Sequence, residues 1–372
     1  MALHALTKSS GESLICIIFS LQKHGGISVY FRELLNGLDR WAEPYVLTLE
    51  SPAVQDTSGL SSRADAILAR PARRLERIRR CRPAPGVSLF HSSYYRLPAD
   101  KRLPSVVTVH DFIHERFRHG WSRRAHMMQK HAAIKAAQAV ICISNATRDD
   151  LLDWVGETPG QQIHVIHNGV SDVFRPLPPS APARPYLLFV GERAGYKNFS
   201  LVLSALARLP DLELHCVGGG PLRADELDAA SPEVRARVKH LGYVTDEALN
   251  VHYNRAACLA YPSAYEGFGI PVLEAMRAGC PVVSLDCKAV REVGGDALTV
   301  AEEASAEALV RAITSTLDVN RRATVVQAGH RTAARFGWQA THRQTLEVYR
   351  SLGMGSAPIP SRGGRAEPKE AR

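Results

Sequence analysis

The sequence predicts two doubly wound α/β domains, each Rossmann-like with a parallel sheet, on three observations. Short runs of Val, Ile, Leu and Tyr alternate with helical patterns through both halves of the chain, the mark of parallel strands covered on both faces. A length of 372 residues with 45% hydrophobic content is enough for two cores. Prolines at 176, 178, 179, 182 and 185 then divide the chain near its middle, because such a cluster excludes regular structure and makes a stiff connector.

Taken in order, the strands expected in the first half are Leu14–Phe19, Tyr45–Leu49, Ser88–His91, Val106–His110, Val140–Ile143 and Ile163–Ile166, with helices at Val29–Leu38 and Arg124–Ala137. The second half offers strands at Tyr186–Val190, Glu213–Val217, Cys258–Tyr261 and Val282–Leu285, and helices near 199–208, 246–254 and 272–278. The division that follows is a first domain over 1–175, a linker over 176–185, a second domain over 186–353 and a polar tail over 354–372 with no apolar period.

Seven scattered cysteines without a C-x-x-C pair indicate neither a zinc site nor a disulfide framework, and buried reduced thiols in a cytosolic setting are expected. No apolar run reaches the roughly 18 residues that span a bilayer. The net charge of +9 is uneven: residues 1–175 carry 23 Lys and Arg against 16 Asp and Glu, leaving only +2 for the rest. Arg70, Arg73, Arg74, Arg77, Arg79, Arg80 and Arg82 surround Leu75 and Ile78, and Arg116, Arg118, Arg123 and Arg124 form a second cluster near Phe117 and Trp121. Such a surface is attracted to anionic lipid, or it is a solvated face that keeps the protein soluble. Aromatic content of 7% and the lack of a stacking or helix-turn-helix motif argue against nucleic acid as a partner.

The densest chemistry lies in Glu266-Gly267-Phe268-Gly269-Ile270-Pro271-Val272-Leu273-Glu274, which continues to Gly279-Cys280-Pro281. Pro271 suits a first helical turn, and Gly269 lets backbone approach a ligand beside N–H groups that attract an anion. Glu266 falls in the loop before this helix and Glu274 about one turn inside it. Two carboxylates around an anion-binding helix start describe a nucleotide-sugar site; alone, an E-x7-E pair is more often two solvated glutamates. The whole string resembles the signature of retaining glycosyltransferases of family 4, which have the GT-B fold of two facing Rossmann-like domains.

That resemblance covers roughly residues 14–350 and assigns further roles. Arg193 and Lys197 follow the strand Tyr186–Val190 on one short loop; as loop cations they are ordinarily solvated, but the family places a diphosphate-binding Arg and Lys there. Their spacing is tighter here, and R-x-G-Y-K-N-F looks like a subset using GDP-linked mannose or a related deoxyhexose in bacterial surface polysaccharide synthesis. His110, at the mouth of its strand, is either a structural histidine or, by resemblance, the first-domain residue that reaches the donor sugar. Gly25 and Gly26 match the family's glycine-rich loop near the donor phosphate. Gly218 and Val244 match segments bordering the base. Phe268, Gly269 and Ile270 belong with the donor site, and His91 is either a weaker candidate or a core residue.

Contiguous glycines followed by Pro221 do not make a dinucleotide fingerprint, so NAD is discounted, and no D-x-D pair after a strand marks a metal site. The resemblance thus implies a metal-independent, retaining hexosyltransferase that needs no cofactor. It would use a nucleotide-diphosphate sugar, with GDP favoured, and a saccharide or lipid-linked acceptor, in the cytoplasm or on the inner face of the cell membrane. A GT-B-type epimerase or a basic nucleic-acid-binding protein is the alternative.

Overall fold

The computed structural model describes residues 14–19, 25–41, 43, 45–50, 66–70, 80–83, 85–93, 95–179, 182, 184–228 and 230–353. Among the described residues, seven strands make the first sheet: β1 (Leu14–Phe19), β2 (Tyr45–Glu50), β3 (Ala66–Arg70), β4 (Val87–Ser92), β5 (Ser105–Val109), β6 (Ala139–Cys142) and β7 (Gln162–Val165), in the order β3-β2-β1-β4-β5-β6-β7. The second holds β8 (Tyr186–Val190), β9 (Glu213–Val217), β10 (Val238–His240), β11 (Cys258–Tyr261), β12 (Val282–Ser284) and β13 (Leu298–Val300), in the order β10-β9-β8-β11-β12-β13. All pairings are parallel.

The order reverses beside the first strand of each sheet, between β1 and β4 and between β8 and β11. Open α/β sheets bind ligands beyond the strand ends at such switch points. Burial on both faces is visible in β8, where Tyr186 and Leu188 enter one apolar cluster while Leu187 and Phe189 enter the other.

Helix Gly26–Arg40 buries Tyr30, Phe31, Leu34, Leu35 and Leu38, spaced at three and four, and presents its start toward the crevice. Helix Ile270–Ala278 begins after Gly269 at φ 99°, has Pro271 in its first turn, and stops at Gly279 at φ 82°. Both glycines occupy the left-handed region that side chains avoid. Oxygen caps start the neighbouring helices: Ser144 accepts from Thr147 N at 3.0 Å and Thr245 from Ala248 N at 3.3 Å.

The last helix, Trp338–Ser351, follows the second domain in sequence yet packs on the first. Trp338, Leu346, Val348 and Tyr349 join the core around Tyr30, Phe31 and Leu34. Tyr349 Oη lies 2.6 Å from His91 Nδ1, and Arg350 Nη2 donates to Glu43 Oε1 at 2.8 Å. The chain thus crosses back: helix Trp338–Ser351, within the stretch 186–353, packs against the first domain.

All seven cysteines are buried and none is disulfide-bonded, and no helix among the described residues is long and apolar enough to cross a membrane. Arg73, Arg74, Arg77 and Arg79 of the first basic cluster, with Leu75 and Ile78, lie outside the described residues.

Candidate active site

The carboxyl ends of both sheets face a cavity of about 420 Å3. From the first domain it is lined by Gly25, Gly26, Ile27, His110, Asp111, Ile113, Ile143 and Asn168; from the second come Gly191, Tyr196, Lys197, Gly218, Tyr243, Tyr261 and the run Glu266 to Pro271, among others. Most of the residues singled out in the sequence thus converge on one place. The start of helix Ile270–Ala278 opens into it, and the first N–H groups of a helix have no partner within the helix. They and the helix dipole form a fixed positive pole.

Among the described residues, Lys197 is the only lysine or arginine lining this cavity. Its Nζ lies 3.0 Å from Glu266 Oε1, close enough for an ion pair although that oxygen is not aligned as a hydrogen-bond acceptor. The ring of Tyr261 sits 5.4 Å from the same ammonium. Glu274 lies one turn inside the helix, half-buried and not part of the cavity lining, and accepts from Tyr253 Oη at 2.9 Å. Burial raises its carboxyl to about 7, against a smaller opposing effect from the Tyr253 hydroxyl. Val244 does not line the cavity either and packs against the apolar core, while its neighbour Tyr243 lines it and is more than half exposed.

Arg193 differs most from the expected picture. Its side chain is fully buried and does not line the cavity. Nε pairs with Glu226 Oε2 at 3.0 Å, and the terminal nitrogens donate to the carbonyls of Gly218, Gly219, Gly220 and Pro221 at 2.8–3.1 Å. The planar fork suits that cluster of acceptors. In this structure Arg193 therefore braces the glycine loop after β9, and Lys197 alone of the two cations faces the crevice.

On the first-domain side, burial holds His110 down to about 4, with Asp111 opposing and Lys130 reinforcing the shift. The imidazole is neutral at pH 7, and its buried Nε2 has no hydrogen-bond partner among the described residues. Asn168 is a second such group: only 3% exposed, it lines the cavity with Oδ1 unpaired. Asn168 was not among the candidate site residues of the sequence; a carboxamide shortly after the strand Gln162–Val165 was the available signal. His91 is instead a core residue, held between Tyr349 Oη and Thr108 Oγ1 at 2.6 and 3.0 Å, and burial lowers it to about 3.

The two domains meet around Glu266. A Cβ on Gly267 would lie 1.8 Å from the His110 carbonyl oxygen, so only glycine permits this approach. The Gly267 carbonyl accepts from Ser144 Oγ and Thr147 Oγ1 at 2.6 and 3.0 Å. Farther along, the Glu292 carboxylate takes Asn145 N at 2.8 Å, Ala146 N at 3.1 Å and His167 Nε2 at 2.7 Å. None of these cross-domain contacts was anticipated. Among the described residues no group of three His, Cys, Asp or Glu is placed to hold a metal ion.

Two facing α/β domains, a helix start aimed into the cleft and a lysine–glutamate pair beside it define a GT-B glycosyltransferase. Family models agree: residues 24–173 match "Glycosyltransferase Family 4" and residues 172–331 match "Glycosyl transferases group 1". The chain belongs to this family of retaining glycosyltransferases. It is 29% identical over 288 residues to the O-antigen chain mannosyltransferase B of Escherichia coli, spanning 71% of this chain and 74% of that one. Among solved structures it resembles sucrose-phosphate synthase from Thermosynechococcus elongatus, with a TM-score of 0.72, 21% identity, and 92% and 99% of the two chains covered. It also resembles Anabaena HepE in complex with UDP-glucose, with a TM-score of 0.70, 17% identity, and 91% and 99% covered.

Proposed function

We propose that this enzyme transfers a mannose-type hexose from a GDP-linked donor to a saccharide or lipid-linked acceptor in bacterial surface polysaccharide synthesis. The observation that carries the donor site is the cavity itself, with Lys197 and the start of helix Ile270–Ala278 on the same wall. The diphosphate would sit against that positive pole, with Lys197 leaving Glu266 to bind a phosphate oxygen. Charge growing on the leaving group is then stabilised by groups already in place, and no metal is required in this reading. Glu266, released, faces the hydroxyls and the cationic face of the oxocarbenium-like sugar. His110 and Asn168 each bury an unpaired polar atom at the cavity, which costs about 1–3 kcal/mol until a ligand or water supplies the hydrogen bond. Hexose hydroxyls match both. Glu274 would take the ribose hydroxyls, with Gly218 and Tyr243 beside the base. The nucleotide departs with its bond to the anomeric carbon broken, and the acceptor hydroxyl attacks from the same face, giving its proton to the leaving phosphate.

Mannose and GDP are supported by the R-x-G-Y-K-N-F run and by likeness to the E. coli mannosyltransferase. UDP-glucose is the second reading, favoured by the ligand of HepE. Isothermal titration with GDP, UDP and a short oligonucleotide decides: GDP binding at least about tenfold tighter than UDP, lost in Lys197→Ala, is expected. Tighter UDP binding replaces the donor, and oligonucleotide binding alone replaces the function.

The acceptor side of the proposal includes an anionic membrane surface. On helix Gly120–Ala136, Trp121 is 84% and Met128 74% exposed, and the Arg124 guanidinium lies 5.4 Å from the Trp121 ring. Exposed aromatic and basic groups together fit a lipid interface. Sedimentation with anionic vesicles should fall with salt and in Arg73, Arg74, Arg77 and Arg80 to Ser variants; equal binding to neutral vesicles points to a soluble acceptor.

A further inference from the structure

Glu266 belongs to the second domain, but the residues on either side of it are bonded to the first. Tyr265 Oη donates to Asp150 Oδ2 at 2.7 Å and accepts from Phe112 N at 2.8 Å. Asp150 is itself paired with Arg116, whose guanidinium lies 5.0 Å from the centre of the Tyr265 ring. On the other side, the Gly267 carbonyl is held by Ser144 and Thr147. Phe112 is two residues beyond His110, so a single phenol hydroxyl ties the segment carrying His110 to the segment carrying Glu266.

We infer that Tyr265 is a positioning residue that makes the orientation of Glu266 depend on closure of the two domains. The inference rests on Glu266 being the carboxylate that faces the donor sugar. When the domains part, Tyr265 loses Phe112 and Asp150 together, Gly267 loses its two hydroxyl donors, and the Glu266 peptide is released at both ends. The reactive arrangement then exists only in the shut enzyme, from which bulk water is excluded. An open enzyme can bind nucleotide through the second domain without exposing the donor to hydrolysis. Burial and the neighbouring Asp150 carboxylate push the Tyr265 phenol far up, so the hydroxyl stays a donor at every working pH.

Tyr265→Phe keeps the ring and removes both hydrogen bonds. Because misplacement by about 1 Å can cost about 10²-fold, a kcat roughly 10- to 100-fold lower is expected, with donor KM and nucleotide Kd within about threefold of wild type. Thr147→Val should lower kcat in the same way by several-fold, and Thr147→Ser, which keeps the hydroxyl, should restore it. These two variants decide the matter should Tyr265→Phe fold poorly. Glu266→Gln is measured alongside. A disabled Glu266→Gln with Tyr265→Phe and Thr147→Val both within about twofold of wild type overturns the positioning role and leaves the site reading standing. A fully active Glu266→Gln overturns the site reading, and the inference with it.

Discussion

Replacing Arg193 by lysine separates a brace from a phosphate ligand, because the two roles predict opposite readouts. The guanidinium is buried and serves four backbone carbonyls and the Glu226 carboxylate. An ammonium offers three donors from one point, so at least two of those five acceptors lose their partner. Each buried group left unpaired costs about 1–3 kcal/mol, a loss of about 2–6 kcal/mol. With roughly 2–4 °C in Tm per kcal/mol for a domain of this size, Arg193→Lys should melt about 4–24 °C below wild type. Lys197→Ala should behave in the reverse manner. Its one ionic partner among the described residues is Glu266, on the same cavity, so the fall in Tm is smaller than for Arg193→Lys, while kcat/KM falls by about 10²–10³ as one preorganised donor is lost. Thermal melts by circular dichroism and steady-state kinetics on both variants give the comparison. Were Arg193→Lys to melt within about 2 °C of wild type and lose 10²-fold in kcat/KM, the guanidinium would be a diphosphate ligand and the brace reading would fall.

Two further outcomes follow from the same geometry. Glu274 has its carboxyl raised from 4.5 to about 7 by burial, so the folded protein holds a proton there that the unfolded chain has released. Its charged form thus opposes folding increasingly as pH rises from about 4.5 to about 7, and Glu274→Gln should gain stability over wild type across that window. A ribose hydroxyl needs the carboxylate as acceptor, so nucleotide affinity should rise with pH through about 7 in wild type and stay flat in Glu274→Gln. Equal affinity from pH 5.5 to 8.5 in both would detach Glu274 from the nucleotide. Gly267→Ala places a methyl against the His110 carbonyl, which backbone cannot yield. A loss of about 10²-fold in kcat with a larger radius of gyration by X-ray scattering is expected, and activity within threefold of wild type would show that the domains need not meet there.

Much of this was readable before the structure, for local reasons. Gly269 and Pro271 encode the start of helix Ile270–Ala278 in neighbouring residues, and the observed helix begins where they place it. Strands such as β8, with five consecutive apolar residues, stand out as buried runs. By contrast β10 and β13 have only three residues each, too few to show a period. The direction of Arg193 was not legible, because it depends on carbonyls 25–28 residues away, which a loop composition does not reveal. The contacts of Tyr265 with Asp150, and of Tyr349 with His91, span 115 and 258 residues. Their partners carry no local signature, so the domain seam and the returning last helix emerge only in three dimensions.

The central claim is that the interdomain cavity turns over a nucleotide-diphosphate sugar. It is tested most directly by incubating the enzyme with membrane-derived and saccharide acceptors and a panel of GDP- and UDP-linked hexoses, and measuring released nucleotide for wild type, Lys197→Ala and Glu266→Gln. The account predicts acceptor-dependent release from one donor class, GDP-mannose first, reduced at least about 10²-fold in both variants. Release that is unaffected by both substitutions would place the chemistry elsewhere in the molecule and contradict the account.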